Sequence, residues 1–187
     1  MKGLWQMWDS LLHEDVCDEI VKAGKEITLK QAVTGSSVLP DKNIRSSKIA
    51  WIDYYNENFK DLWTFVDRTI EEANANAFGV DTSFIRSLQF TNYTAHDEGH
   101  YDWHEDVFWE RNDMYNRKLS LVIQLSDPNA YTGGDLELDV HIPPSAETLR
   151  NKGTVIVFPS FVKHRVTKVT SGERSSLVAW KEGPLWR

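Results

Sequence analysis

The sequence predicts a mainly β member of the α+β class: two antiparallel sheets of jelly-roll type, with N-terminal helices packed on one of them. Two observations carry this. Apolar residues recur at helical spacing only in the first 83 residues, and from residue 84 onward the pattern changes to short strands separated by turns. At 187 residues the chain is one domain, with 1–83 as helical support and 84–187 as the jelly-roll core. That length suffices to bury a proper core.

The elements follow in order. Residues 10–24 read as a helix, with Val16, Ile20 and Ala23 on one face. Glu14 and Asp15 stand near its positive end and Gly24 supplies a stop. Residues 29–43, with Gly35, Ser36, Ser37 and Pro40, read as a loop, and 44–55 as extended chain. A second helix at about 57–76 is marked by Phe59, Leu62, Trp63, Val66, Ile70 and Ala73, and Gly79 ends it. Leu119, Leu121, Ile123 and Leu125 alternate with Ser120, Val122 and Gln124, which predicts a strand with one apolar face. Leu136, Leu138 and Val140 alternate in the same way. Residues 155–158 are continuously apolar, as in a strand covered on both faces. Asp127-Pro128-Asn129 and Tyr131-Thr132-Gly133-Gly134 supply turns.

Composition narrows the function. The formal net charge of −7 argues against general binding to nucleic acid or an anionic membrane, both of which favour a basic surface. The single cysteine, Cys17, permits no internal disulfide and fits a reducing compartment. No stretch reads as a signal peptide or a membrane span, so a cytoplasmic location is expected.

The chemistry concentrates in Tyr101-Asp102-Trp103-His104-Glu105-Asp106, in His164, and in Arg174 ten residues further on. Two imidazoles and one carboxylate suit a ferrous ion held on one face, with its other positions open. On a strand, residues i and i+2 share a side, so His104 and Asp106 can converge while Glu105 faces away. The second histidine must come from another strand. A guanidinium presents paired donors that fit a carboxylate, so Arg174 can meet a dicarboxylate on that ion. Ser176 lies two residues on and shares its face. His96 and His100 compete as ligands but read as bystanders, and His13 and His141 have no partner pattern. The irregular aromatic stretch 107–117 directly follows the ligands, where recognition loops tend to sit; Trp109 and Tyr115 are its candidate substrate contacts.

From Gln89 to Pro184 the chain resembles the Fe(II)- and 2-oxoglutarate-dependent dioxygenases, most closely their prolyl 4-hydroxylase-like branch. The matching pieces are Tyr93, residues 99–106, 119–125, Gly133-Gly134-Asp135-Leu136, 153–159, His164-Arg165-Val166, Gly172-Glu173-Arg174 and Trp180. The resemblance implies a double-stranded β-helix with iron on His104, Asp106 and His164. It also implies 2-oxoglutarate with its far carboxylate on Arg174, where collagen-type relatives carry lysine, and Tyr93 as a further contact to that carboxylate; Ser176, by its place on the Arg174 face, is the other candidate donor to it. Dioxygen is the oxidant and ascorbate an optional accessory. Relatives with a small residue in place of Asp106 halogenate, so this chain is expected to hydroxylate.

The implied reaction hydroxylates an unactivated C–H bond, with succinate and carbon dioxide as co-products. A prolyl residue in a peptide or protein is the first expectation for the substrate, and a free amino acid or other small molecule the second. A nucleic-acid demethylase is disfavoured, because those relatives carry a further arginine where this chain has Ser175-Ser176-Leu177-Val178-Ala179-Trp180. A non-catalytic metal-binding jelly-roll module is the rival from a different class; the presence of Arg174 weighs against it.

Overall fold

The computed structural model describes residues 1–27, 29–33, 41–109 and 114–186. Its elements run β1 (Gln6–Trp8), α1 (Glu14–Glu26), β2 (Lys30–Gln31), β3 (Arg45–Ser46), β4 (Lys48–Ile52), α2 (Lys60–Ala73), β5 (Phe84–Thr94) and β6 (His100–His104). There follow β7 (Tyr115–Gln124), β8 (Tyr131–Gly133), β9 (Leu136–Leu138), α3 (Ala146–Arg150), β10 (Val155–Pro159), β11 (His164–Val166) and β12 (Val169–Pro184). Two antiparallel sheets form among the described residues. The larger has the order β1-β10-β7-β12-β5-β4-β2, with β8 paired to β12; the smaller has the order β3-β6-β11-β9.

Strand periodicity divides the core in two. Leu119, Leu121 and Ile123 of β7, Val155 and Val157 of β10, and Leu177 and Ala179 of β12 pack with the helices. Val122, Ile156, Phe158 and Val178 turn the other way, toward the smaller sheet. The continuously apolar 155–158 is therefore buried on both faces, as expected. Ser120 and Gln124 point into the space between the sheets, which is where the polar chemistry collects.

Several elements differ from expectation. Helix α1 starts at Glu14 because His13 caps it: its Nδ1 accepts from Asp15 N at 3.3 Å. Val16 is exposed and the buried stripe is Cys17, Ile20 and Gly24. Gly24 does not stop the helix. It sits against Phe90, where a Cβ would lie 2.5 Å from the ring, so the helix needs a glycine to approach the sheet. The second helix opens with a 3₁₀ turn at Glu57–Phe59 and closes with a π turn at Asn74–Phe78. Gly79 terminates it at φ 64°, its N–H donating to Asn74 O at 2.8 Å.

The extended stretch 44–55 is two strands in two sheets, since β3 pairs with β6 and β4 with β5. The stretch expected to be helical support thus also carries β1 to β4, which extend both sheets. Residues 131–133, expected as a turn, form β8. The loop residues Gly35, Ser36, Ser37 and Pro40, and 110–113 of the aromatic stretch, lie outside the described residues. No helix among the described residues is long and apolar enough to cross a membrane.

Candidate active site

The two histidines meet because β11 pairs with β6 in a register that sets His164 directly opposite His104. Their ring centroids are 4.2 Å apart. Asp106 completes the cluster from just beyond the strand. Here the structure corrects the sequence reading: β6 ends at His104, so strand alternation alone does not place Asp106. Its backbone N–H donates instead to Ser160 O at 2.8 Å, which turns the carboxylate inward. Glu105 faces away and accepts from Trp109 Nε1 at 2.9 Å. One ligand atom from each of His104, Asp106 and His164 lies within 4.8 Å of the other two.

The rings are prepared for a metal. His104 Nδ1 lies 2.7 Å from Asp102 O, and His164 Nδ1 lies 2.9 Å from Val162 O. A proton on each Nδ1 satisfies these carbonyls and leaves both Nε2 lone pairs facing the cluster. The Nε2 atoms stand 3.9 Å and 3.5 Å from the two Asp106 oxygens. Burial, helped by the neighbouring His164, lowers the His104 pKa to about 3, so its imidazole is neutral and available. Burial alone would raise Asp106, but His164, His104, Arg117 and the Ser120 hydroxyl together lower it to about 2. Ser120 Oγ donates to Asp106 Oδ2 at 2.6 Å, and Ser160 Oγ lies 2.9 Å from Ser120 Oγ. A serine pair thereby orients the carboxylate from behind. The cluster offers neutral nitrogens and an ionised oxygen converging from one side, which fits a ferrous ion.

Tyr101 stacks on His104, with centroids 3.4 Å apart at 13°. Three residues apart on a regular strand, the two would face opposite ways. The register shift between His164 and Val166 on the pairing with β6 brings both to the cavity wall.

A cavity of about 380 Å³ runs between the sheets past this cluster. At one end lies Arg174, 1% exposed. Its Nε donates to Gln124 Oε1 at 3.1 Å, while Nη1 and Nη2 are buried without a hydrogen-bond partner among the described residues. A buried guanidinium with two idle donors is costly unless an anion completes it. A carboxylate fits both the charge and the fork, so the residues suit a dicarboxylate cosubstrate. Tyr93 and Ser176 share this wall, the Tyr93 ring 5.5 Å from the Arg174 guanidinium.

The opposite end of the cavity is aromatic and basic. Trp51 and Trp180 stand 6.1 Å apart there, beside Phe108, Arg45 and Arg117. Phe108 and Arg117 fall in the aromatic stretch 107–117 that the sequence marked for recognition, whereas Trp51, Trp180 and Arg45 were not singled out as site residues, because they are scattered over β3, β4 and β12 and only the sheet order gathers them. Trp109 and Tyr115, the expected substrate contacts, do not line the cavity. Trp109 is 58% exposed and engaged with Glu105, and Tyr115 opens β7, packed edge-on against Phe84 at 5.3 Å. His96 and His100 lie outside the ligand cluster.

Known proteins place this geometry. A PKHD-type hydroxylase of Synechococcus sp. (strain CC9311) is 39% identical over 85 residues, covering 46% of this chain and 37% of that protein. One from Pseudoalteromonas atlantica is 26% identical over 168 residues, covering 84% and 73%. The match to the Synechococcus protein thus spans little more than a third of that relative's length. In fold, the chain is similar to a Pseudomonas putida prolyl-4-hydroxylase, with TM-score 0.73 at 24% identity over 95% of this chain and 91% of that one. It is also similar to a Trichoplax adhaerens prolyl hydroxylase in complex with a hypoxia inducible factor peptide fragment, with TM-score 0.74 at 16% identity over 95% and 82%. The family model of the 2OG-Fe(II) oxygenase superfamily matches residues 88–182, just over half of the chain and the span that carries every residue of the cluster and its arginine. The protein belongs to the 2OG-Fe(II) oxygenase superfamily.

Proposed function

We propose that this chain is an Fe(II)- and 2-oxoglutarate-dependent hydroxylase acting on a prolyl residue of a peptide or protein. The observation that carries the cosubstrate is Arg174, whose two idle terminal nitrogens face the cavity that also holds the metal cluster. A module that merely held a metal would have no use for that buried charge. His104, Asp106 and His164 would hold the iron, and Arg174, with Tyr93 and Ser176 beside it, would hold the far carboxylate of 2-oxoglutarate. When bound, the pair supplies oxidising power from dioxygen, with succinate and carbon dioxide released. The protein positions and encloses. Ser120 and Ser160 fix the Asp106 carboxylate, Gln124 aims the Arg174 fork, and the two sheets exclude water.

The prolyl reading draws on the aromatic end of the cavity and on the likeness to proteins described as prolyl hydroxylases. Indole faces suit pyrrolidine rings, and proline-rich segments dock aromatic-lined grooves at low entropic cost. The test is mass spectrometry of a proline-containing peptide library after incubation with Fe(II), 2-oxoglutarate and air. A product gaining one oxygen atom on proline, with matching succinate, is expected. Oxidation of free amino acids with no peptide product would move the substrate assignment to small molecules and leave the oxygenase reading in place.

A further inference from the structure

We propose that the cavity holds a second carboxylate seat, built on Arg45, that takes a carboxylate of the substrate. The inference rests on the hydroxylase reading and adds the substrate's charge class to it. Arg45 lies on β3, in the smaller sheet, and is 7% exposed, yet it lines the cavity. Its Nε donates to Ser47 Oγ at 2.8 Å and its Nη2 to Gln89 Oε1 at 2.9 Å. Both partners are neutral. No carboxylate pairs with it among the described residues, and its Nη1 has no hydrogen bond there. The guanidinium sits 4.5 Å from the centroid of Tyr101, which itself stacks on the ligand His104. It is thus held rigidly beside the reacting centre, on the sheet facing the one that carries Arg174.

Charge balance points the same way. A divalent ion, Asp106, a bound dicarboxylate and Arg174 cancel one another. The Arg86 guanidinium donates twice to Glu182, at 2.9 and 2.7 Å, so that pair cancels too. Arg117, 3.8 Å from Asp106 Oδ1, has further interactions of its own. Arg45 is a buried cation whose hydrogen-bond partners are both neutral, a costly state until an anion arrives. The chain as a whole is acidic, at −7, so the attraction is local to the cavity and selects rather than collects anions. A carboxylate can reach this seat from an acidic residue flanking the target or as the main-chain carboxylate of a free amino acid.

The experiment compares matched probes: a proline-centred pentapeptide amide with one glutamate, its glutamine twin, free proline, and prolinamide. Binding is followed through tryptophan fluorescence, since Trp51 and Trp180 flank the cavity, both anaerobically with Fe(II) and 2-oxoglutarate and in the metal-free protein. At least one acid probe is expected to bind about ten- to a hundredfold more tightly than its amide twin, the value of a charge-assisted hydrogen bond. Arg45→Gln should erase that difference and Arg45→Lys keep part of it. Which pair shows the effect identifies the source of the carboxylate. Equal binding within both pairs, no binding of any probe, or an acid preference that survives in Arg45→Gln would overturn the proposal. Should Arg45→Gln fail to fold, the wild-type comparison and Arg45→Lys decide. Failure of the hydroxylase reading would show elsewhere, as absent binding of Fe(II) and 2-oxoglutarate themselves.

Discussion

Ser120 shows how much of the site lies behind its ligands. It is fully buried and is not itself one of the three ligands, yet its hydroxyl holds Asp106 Oδ2 at 2.6 Å. Partners of this kind typically govern metal affinity by 10- to 100-fold. Ser120→Ala should therefore weaken ferrous binding by about that factor while the far-UV circular dichroism stays unchanged; equal affinity would mean that the Asp106 N–H bond to Ser160 O suffices to hold the carboxylate in place. Arg174 is the other decisive residue. Removing one partner of a buried, charge-assisted pair costs roughly 3–5 kcal/mol. Arg174→Ala should raise the apparent 2-oxoglutarate constant by roughly a hundredfold or more. Arg174→Lys should recover part of the loss, because it keeps the charge and loses the fork. Initial-rate succinate assays across cosubstrate concentration measure both.

Among the elements, the turn before β9 bears directly on Arg174. Gly134 has φ 66°, and a Cβ there would lie 3.1 Å from Arg174 Cδ and 2.9 Å from Val169 Cγ2. Gly134→Ala should strain that turn and push on the arginine arm, raising the 2-oxoglutarate constant several-fold with ferrous affinity unchanged; a loss confined to iron binding would place the strain elsewhere. This turn also marks how far the elements were legible. The alternation of Leu119, Leu121 and Ile123, the apolar run 155–158 and the spacing of Leu62, Val66 and Ile70 translated directly into β7, β10 and α2, because burial on one face enforces a fixed period. Short edge pieces such as β1, β8 and the sheet change at Ser47 carry too few residues to show a period, and only their partners define them. His104 and Arg174 were legible because their chemistry needs those residue types in that order. Trp51 and Arg45 were not, because nothing local distinguishes a cavity-facing side chain from one facing solvent.

At the scale of the whole molecule, the buried cluster makes the metal-free protein acid-sensitive. His104 titrates at about 3 when folded, against 6.5 for an unperturbed imidazole, through burial and the neighbouring His164. The unfolded chain therefore binds more protons between these values. The stability contributed by the neutral imidazole is complete above pH 6.5 and is lost as pH falls toward 3. Asp106, folded at about 2 against 3.8, adds a loss of the same sign below pH 3.8. The unfolding free energy of the metal-free protein, read from urea titrations, should decline from pH 6.5 downward, by at most about 1.4 kcal/mol per pH unit for this one proton. His104→Gln should flatten the decline between pH 6.5 and 4, and a variant with the wild-type slope would assign the acid loss to other groups. The central claim, that one cavity joins a three-residue iron site to an arginine-anchored cosubstrate, is tested most directly by anaerobic calorimetric titration of Fe(II) with and without 2-oxoglutarate. The account predicts one ferrous ion per chain, lost in Asp106→Ala, and 2-oxoglutarate binding that strengthens with the metal present and weakens in Arg174→Ala. Wild-type ferrous affinity retained when His104, Asp106 and His164 are each replaced by alanine would contradict it.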